Sequence, residues 1–241
     1  MRDDERVQLF SQWDGEVNAF KPVDASVRVI VSYGFPGSGS TLIWQILEFL
    51  LGNVKKTASC PIYRDNTYVV ATVRDFRDIV CTYLARTNMA VSRENIDRLV
   101  SSVAQAEGVF AELDLLTDTW KEAGGQILWM RYEDFFNNYD YIFERVTGFL
   151  QRPISAEEKQ EIVARFNHES NRARAQKAAS LTAMDEDWLE MEYHSYVVGG
   201  INAKHITSDG TPGKWRRIIP EGLHDYVTEL LLEPLEKFGY V

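Results

Sequence analysis

Four short clusters carry residue types able to hold an anion. The first is the loop Phe35-Pro36-Gly37-Ser38-Gly39-Ser40-Thr41, which follows a β-branched run at 27–33 and precedes an apolar stretch with helical spacing. A strand, a Gly-rich turn and a helix N-terminus together aim free backbone N–H groups and the positive helix end at one point, the arrangement that cradles a phosphate. Gly34, Gly39 and Thr41 stand where a G-x-x-x-x-G-K-[ST] loop has its two glycines and its hydroxyl, and Ser40 takes the place of the lysine. ATP chemistry uses that lysine on the β/γ-phosphates, so the loop points to a related nucleotide. Pro36, Gly37, Ser38, Gly39, Ser40 and Thr41 are the expected cradle.

The second cluster lies in 70–86, VATVRDFRDIVCTYLAR. A buried strand delivers Arg74 to its C-terminal end, where open α/β sheets bind ligands, and Thr82 follows eight residues later. A guanidinium holds two phosphate oxygens at once; Arg74 would equally well pair with Asp75 or Asp78. The third, MRYEDFF at 130–136, puts Tyr132 at another strand-to-helix junction, where its ring is suited to a base. The fourth, SDGTPGKWRRI at 208–218, combines two loop glycines, Gly210 and Gly213, with Lys214, Trp215, Arg216 and Arg217. For a general base, His205 stands five residues before Gly210, and Asp65 lies between the first two clusters. His168, His194 and His224 are the other histidines; His168 opens the basic stretch HESNRARAQK.

These clusters need elements to position them. The periodicity predicts strands over 27–33, 67–73 and 126–131 and helices over 42–51, 75–87, 93–123 (broken near Gly108), 132–150 and 220–238. Ser155 with Glu158 has capping-box spacing for a further helix from Ala156. Strands alternating with helices imply a parallel sheet covered on both faces, a three-layer α/β/α fold. The chain is expected to be one domain over 1–241, with 180–209 as an irregular acceptor-site loop or lid containing Gly199-Gly200.

Composition narrows the partners. The chain has 241 residues, 45% hydrophobic and 26% charged, enough for a sizeable core. No apolar run approaches the roughly 18 residues of a membrane span. A net charge of −10 disfavours nucleic acid and requires any anion site to be a local basic cluster. Cys60 and Cys81 form no disulfide framework or metal spacing, and the N-terminus MRDDERVQLF has no signal-peptide core, so a cytoplasmic protein with no required metal is expected.

Taken in order, the four clusters resemble the sulfotransferase family that uses 3′-phosphoadenosine-5′-phosphosulfate (PAPS). The family's Y-P-K-S-G-T-T-W loop corresponds to residues 35–42, its R-x-x-x-D-x-x-x-S to Arg74, Asp78 and Thr82, its Y-E-D to Tyr132-Glu133-Asp134, and its R-K-G-x-x-G-x-W-K to residues 208–216. The resemblance implies a 5′-phosphosulfate in the loop, a 3′-phosphate on Arg74, Thr82 and Arg216, and adenine on Tyr132. It further implies sulfuryl transfer from PAPS to a hydroxyl or amine of a small-molecule or carbohydrate acceptor, leaving adenosine 3′,5′-bisphosphate (PAP). Departures accompany it. The family's loop lysine is Gly37 here, its stacking tryptophan Leu42 and its C-terminal arginine Ser208, while its Lys-Thr-His has Lys56-Thr57-Ala58 as counterpart. A replacement cation would come from elsewhere, such as Lys55, Lys56 or Arg64. Two alternatives stay open: a P-loop nucleotide or small-molecule kinase, and a PAPS-binding module without turnover.

Overall fold

A computed structural model describes residues 29–34, 37–57, 67–106, 126–182, 201, 206 and 210–241. Its centre is a parallel sheet of four strands, β1 (Val29–Gly34), β2 (Lys55–Thr57), β3 (Thr67–Val73) and β4 (Gln126–Arg131), in the spatial order β2-β1-β3-β4. The register pairs Gly34 with Thr72 and Val73 with Arg131, so β1, β3 and β4 end together at one edge. The chain leaves β1 to one side for β2 and returns on the other side for β3. That reversal opens a crevice beyond the carboxyl ends of β1 and β3, the place where such sheets bind ligands.

Both faces of the sheet are apolar because alternate residues point opposite ways. Ile30, Val70, Leu128 and Met130 face a core built with α1 (Ser40–Leu51), α5 (Tyr139–Leu150) and α6 (Ala156–Phe166). Val31, Tyr33, Val69 and Ala71 face the other way. Trp129 joins that face to a second core formed with α2 (Phe76–Arg86), α3 (Arg93–Ala106) and the C-terminal elements. The expected three layers are present. The remaining elements are α4 (Tyr132–Phe135), α7 (His168–Thr182), α8 (Trp215–Ile218), a 3-10 turn at Glu221–Leu223, α9 (His224–Leu230) and α10 (Leu232–Lys237).

Where elements differ from the expectation, the breakers are local. The predicted helix over 132–150 is split into α4 and α5. Asn137 adopts φ 54°, and Asn138 caps α5 by accepting the Tyr141 N–H at 3.3 Å. Asparagine tolerates the left-handed region and competes for backbone groups, so the Asn-Asn pair interrupts an otherwise continuous apolar pattern. The C-terminal helix is likewise divided. Pro234 has no N–H and its ring would clash with the carbonyl four residues back, so α9 ends before it and Pro234 falls in the first turn of α10. The Ser155–Glu158 capping box forms, with Glu158 N–H donating to Ser155 Oγ at 3.2 Å and Ser155 N–H to Glu158 Oε2 at 2.8 Å. Helix α3 is described as far as Ala106; the proposed break at Gly108 lies outside the described residues, as do most of the 180–209 lid, Asp65, His205 and Pro36.

Candidate functional site

The turn after β1 depends on two glycines. A Cβ at Gly34 would lie 2.1 Å from Thr72 Oγ1, so the loop can cross β3 only without a side chain there. Gly39 has φ 84° and stands against Phe135 and Tyr132, where a Cβ would come within 2.8 Å of both rings. Gly39 also precedes α1 as its N-cap residue, and no side chain caps that helix. The Leu42 N–H turns back to the Gly39 carbonyl at 3.0 Å; the first-turn N–H groups ahead of it have no partner within the helix and remain for an incoming anion. Ser38 points away from that opening. Its hydroxyl is buried against Thr72 Oγ1 at 2.7 Å, which ties the loop to the sheet.

Helix α2 follows β3; Arg74 ahead of it and Asp78, Thr82 and Arg86 on it recur at four-residue steps along one stripe. Arg74 lies just before the helix and is nearly buried. Its Nε and Nη2 donate to Asp78 Oδ2 at 3.2 and 2.9 Å, its Nη1 to the Gly37 carbonyl at 3.3 Å, and its Nη2 also to the carbonyls of Gly210 and Thr211 at 3.2 Å. Its guanidinium sits 4.1 Å over the Tyr132 ring, whose hydroxyl donates to the Gly210 carbonyl at 2.9 Å. Arg74 therefore pairs with Asp78 and also borders the crevice.

Asp78 is the anchor that sequence reading undervalued. Completely buried, it accepts from the N–H groups of Gly213 (2.8 Å) and Trp215 (2.9 Å) besides Arg74. The C-terminal loop is thereby stitched to α2, and Lys214 is swung inward to donate from Nζ to Thr82 Oγ1 at 2.8 Å. Trp215 serves a different purpose from the expected one. Its ring is buried between the guanidinium groups of Arg77 and Arg216 (4.2 and 4.5 Å) and its Nε1 donates to Asp75 Oδ2. Trp215 and the exposed Arg216 stabilise the loop from behind and do not line the crevice; Gly213 contributes its N–H to Asp78. Glu133 is likewise a brace, accepting from Asp75 N–H and the Tyr240 hydroxyl.

The crevice is a cavity of about 400 Å³ whose walls include Gly37, Gly39, Ser40, Thr41, Arg74, Thr82, Tyr132, Gly210 and Lys214. Two further cations reach it, Lys56 and Arg86. Lys56 comes from β2, the parallel neighbour of β1, and its Nζ donates to Thr41 Oγ1 at 2.7 Å. Burial, followed by repulsion from Arg86, lowers the Lys56 pKa to about 8. Arg86 is held below its ordinary value, chiefly by burial. His168 also lines the cavity, whereas His224 is bonded to the Ile219 carbonyl and packed on Trp215. Cys81, on α2, is buried in the second core, and loss of solvation pushes its thiol up to about 12, so it is not a nucleophile.

A family model described as sulfotransferase domain matches residues 56–239. The chain belongs to the sulfotransferase domain family. The match begins after the phosphate-type loop, so loop and family evidence are independent. Among solved structures, mouse sulfotransferase SULT7A1 complexed with PAP superposes with a TM-score of 0.59 at 10% identity, covering 92% of this chain and 88% of that one. Retinol dehydratase in complex with androsterone and the inactive cofactor PAP superposes with a TM-score of 0.55 at 14% identity, covering 87% and 81%. At these identities the likeness is one of fold. No curated protein matches the sequence. Among the described residues no group of acidic, histidine or cysteine side chains has metal-site geometry, and no helix is long and apolar enough to cross a membrane.

Proposed function

We propose that this sulfotransferase uses PAPS and transfers its sulfuryl group to a hydroxyl or amine of a small-molecule or carbohydrate acceptor. One observation carries the reading. An uncapped helix N-terminus, Arg74, Lys214, Thr82 and the Tyr132 ring converge on a single cavity at the switch point of the sheet, in a protein of net charge −10. Such a cluster fits a ligand with two separated anionic groups and an aromatic base. Bound PAPS would supply an activated sulfuryl group there.

The chain's own residues divide the work. Gly37, Gly39, Ser40 and Thr41 offer backbone N–H groups and the positive helix end to a 5′-phosphosulfate, with Ser38 tying the loop to the sheet. Arg74 and Lys214 offer donors to a 3′-phosphate beside Thr82, and Gly210 borders the same space on a loop that Gly213, Trp215 and Arg216 brace from behind. Tyr132 offers its ring to adenine. Lys56 replaces the lysine that Gly37 lacks: its ammonium reaches Thr41 from the adjoining strand and can offset negative charge that develops at the loop. His205 and Asp65 are the proposed bases for the acceptor proton.

The test is thermal stability with PAP beside ADP, AMP and Mg-ATP, because a ligand that binds the native state raises the melting point without any knowledge of the acceptor. A shift with PAP alone is expected. A shift only with Mg-ATP would return the loop to the kinases, and tight PAP binding without turnover of any acceptor would leave a binding module.

A further inference from the structure

The cavity holds one more cation than the nucleotide reading uses. Arg74 is matched to Asp78, Lys214 bonds Thr82 and Lys56 bonds Thr41. Arg86 has none of this. Its Nε is buried and finds no hydrogen-bond partner among the described residues, and no carboxylate is among the described residues that line the cavity. A buried N–H without an acceptor is costly, so the Nε of this half-buried side chain signals a missing partner. Being the last basic residue of α2, Arg86 also complements that helix's negative end. That effect does not require a side chain turned into a cavity beside a second cation, where like charge opposes it.

Position separates Arg86 from the nucleotide donors. It stands one helical turn beyond Thr82 on the same stripe, on the far side from Arg74, and close enough to Lys56 for the two charges to repel. The cavity walls also include the aromatic rings of Phe136, Tyr139 and Phe166. The space thus combines aromatic walls with one unused donor.

Resting on the PAPS reading above, we propose that Arg86 receives an anionic group on the acceptor itself, a carboxylate or its sulfate or phosphate equivalent, and so selects hydroxylated acids over neutral alcohols. This reading of the acceptor goes against the protein's overall acidity, which by itself favours neutral or cationic acceptors. The local field in a low-dielectric cleft outweighs the distant net charge.

The experiment is calorimetric titration of the PAP-saturated protein with two matched pairs: 4-hydroxyphenylacetate against 2-(4-hydroxyphenyl)ethanol, and 3-hydroxybutyrate against 1,3-butanediol. The acid of at least one pair is expected to bind about tenfold tighter than its alcohol, the scale of one charge-assisted contact. Arg86→Met should abolish that difference and leave PAP affinity as it was, and Arg86→Lys should keep part of it. Equal binding of acid and alcohol, no binding of any probe, a preference that survives Arg86→Met, or a loss of PAP affinity in Arg86→Met would each overturn the assignment. Absence of PAP binding to the unaltered protein is a separate result and would sink the cofactor reading on which this one rests.

Discussion

Lys56 is the residue on which the proposed chemistry turns, and its titration makes a two-sided prediction. Its folded pKa of about 8 lies below the ordinary 10.5, so between those values the unfolded chain binds more protons than the folded one. Stability of the ligand-free protein should therefore rise as pH increases from about 8 to 10.5, and the cost of burying the ammonium is fully present below about 8. Lys56→Met should remove that rise and increase the melting point at pH 7 by a few degrees, on the order of 1 kcal/mol or more for a domain of this size. Activity should respond in the opposite sense. If the ammonium offsets charge at the loop, turnover falls once pH exceeds the Lys56 pKa, and Lys56→Met lowers kcat by roughly 10²-fold, the scale of one lost electrostatic donor. A pH–rate profile and a melting series on the same variant check both. A mutant that melts higher but turns over at full rate would make Lys56 a buried liability rather than a catalytic cation.

At the scale of elements, the site is held by helix α2 through one carboxylate. Asp78 joins Arg74, the Gly213 N–H and the Trp215 N–H, and these bonds seat Lys214 against Thr82. Removing one partner of a buried charge pair leaves the other uncompensated, so Asp78→Ala should lower the unfolding free energy by about 3–5 kcal/mol, measured by urea denaturation. Hydrogen exchange at Gly213 and Trp215 should quicken further than elsewhere if the loop is stitched by this residue alone. The same element shows what was legible in advance. Arg74 and Thr82 could be read because strand, turn and helix are consecutive, and β3 and β4 could be bounded because their apolar runs stop at Arg74 and Arg131. Lys56 and Arg86 could not be placed. They meet only because β2 lies beside β1 and because α2 directs a stripe of residues over the loop, relations that no local spacing encodes. The breaks at Asn137 and Pro234 carried readable signals, which the continuing apolar period masked.

The whole molecule sets an acidic surface around a basic cleft. Four cations, Lys56, Arg74, Arg86 and Lys214, border one cavity of a chain whose net charge is −10. Among them, Lys56 is held below its ordinary pKa first by burial and then by repulsion from Arg86. A ligand carrying several negative charges offsets Lys56, Arg74 and Lys214 while bridging β1, β3, α2 and the C-terminal loop. Its binding should therefore stabilise the fold as a unit. At a PAP concentration a hundred times its Kd, mass action adds about 2.7 kcal/mol, which for a domain of this size is roughly 5–10 °C in melting temperature. AMP, lacking the 3′-phosphate, leaves Arg74, Thr82 and Lys214 without their anion and should shift the transition far less at equal concentration. Thr82→Val tests whether that difference arises at α2: the side chain keeps its shape, loses its bond to Lys214 and should narrow the gap between PAP and AMP. If the gap stays as wide in Thr82→Val, the 3′-phosphate is held by other groups, and the stripe along α2 serves the fold rather than the nucleotide.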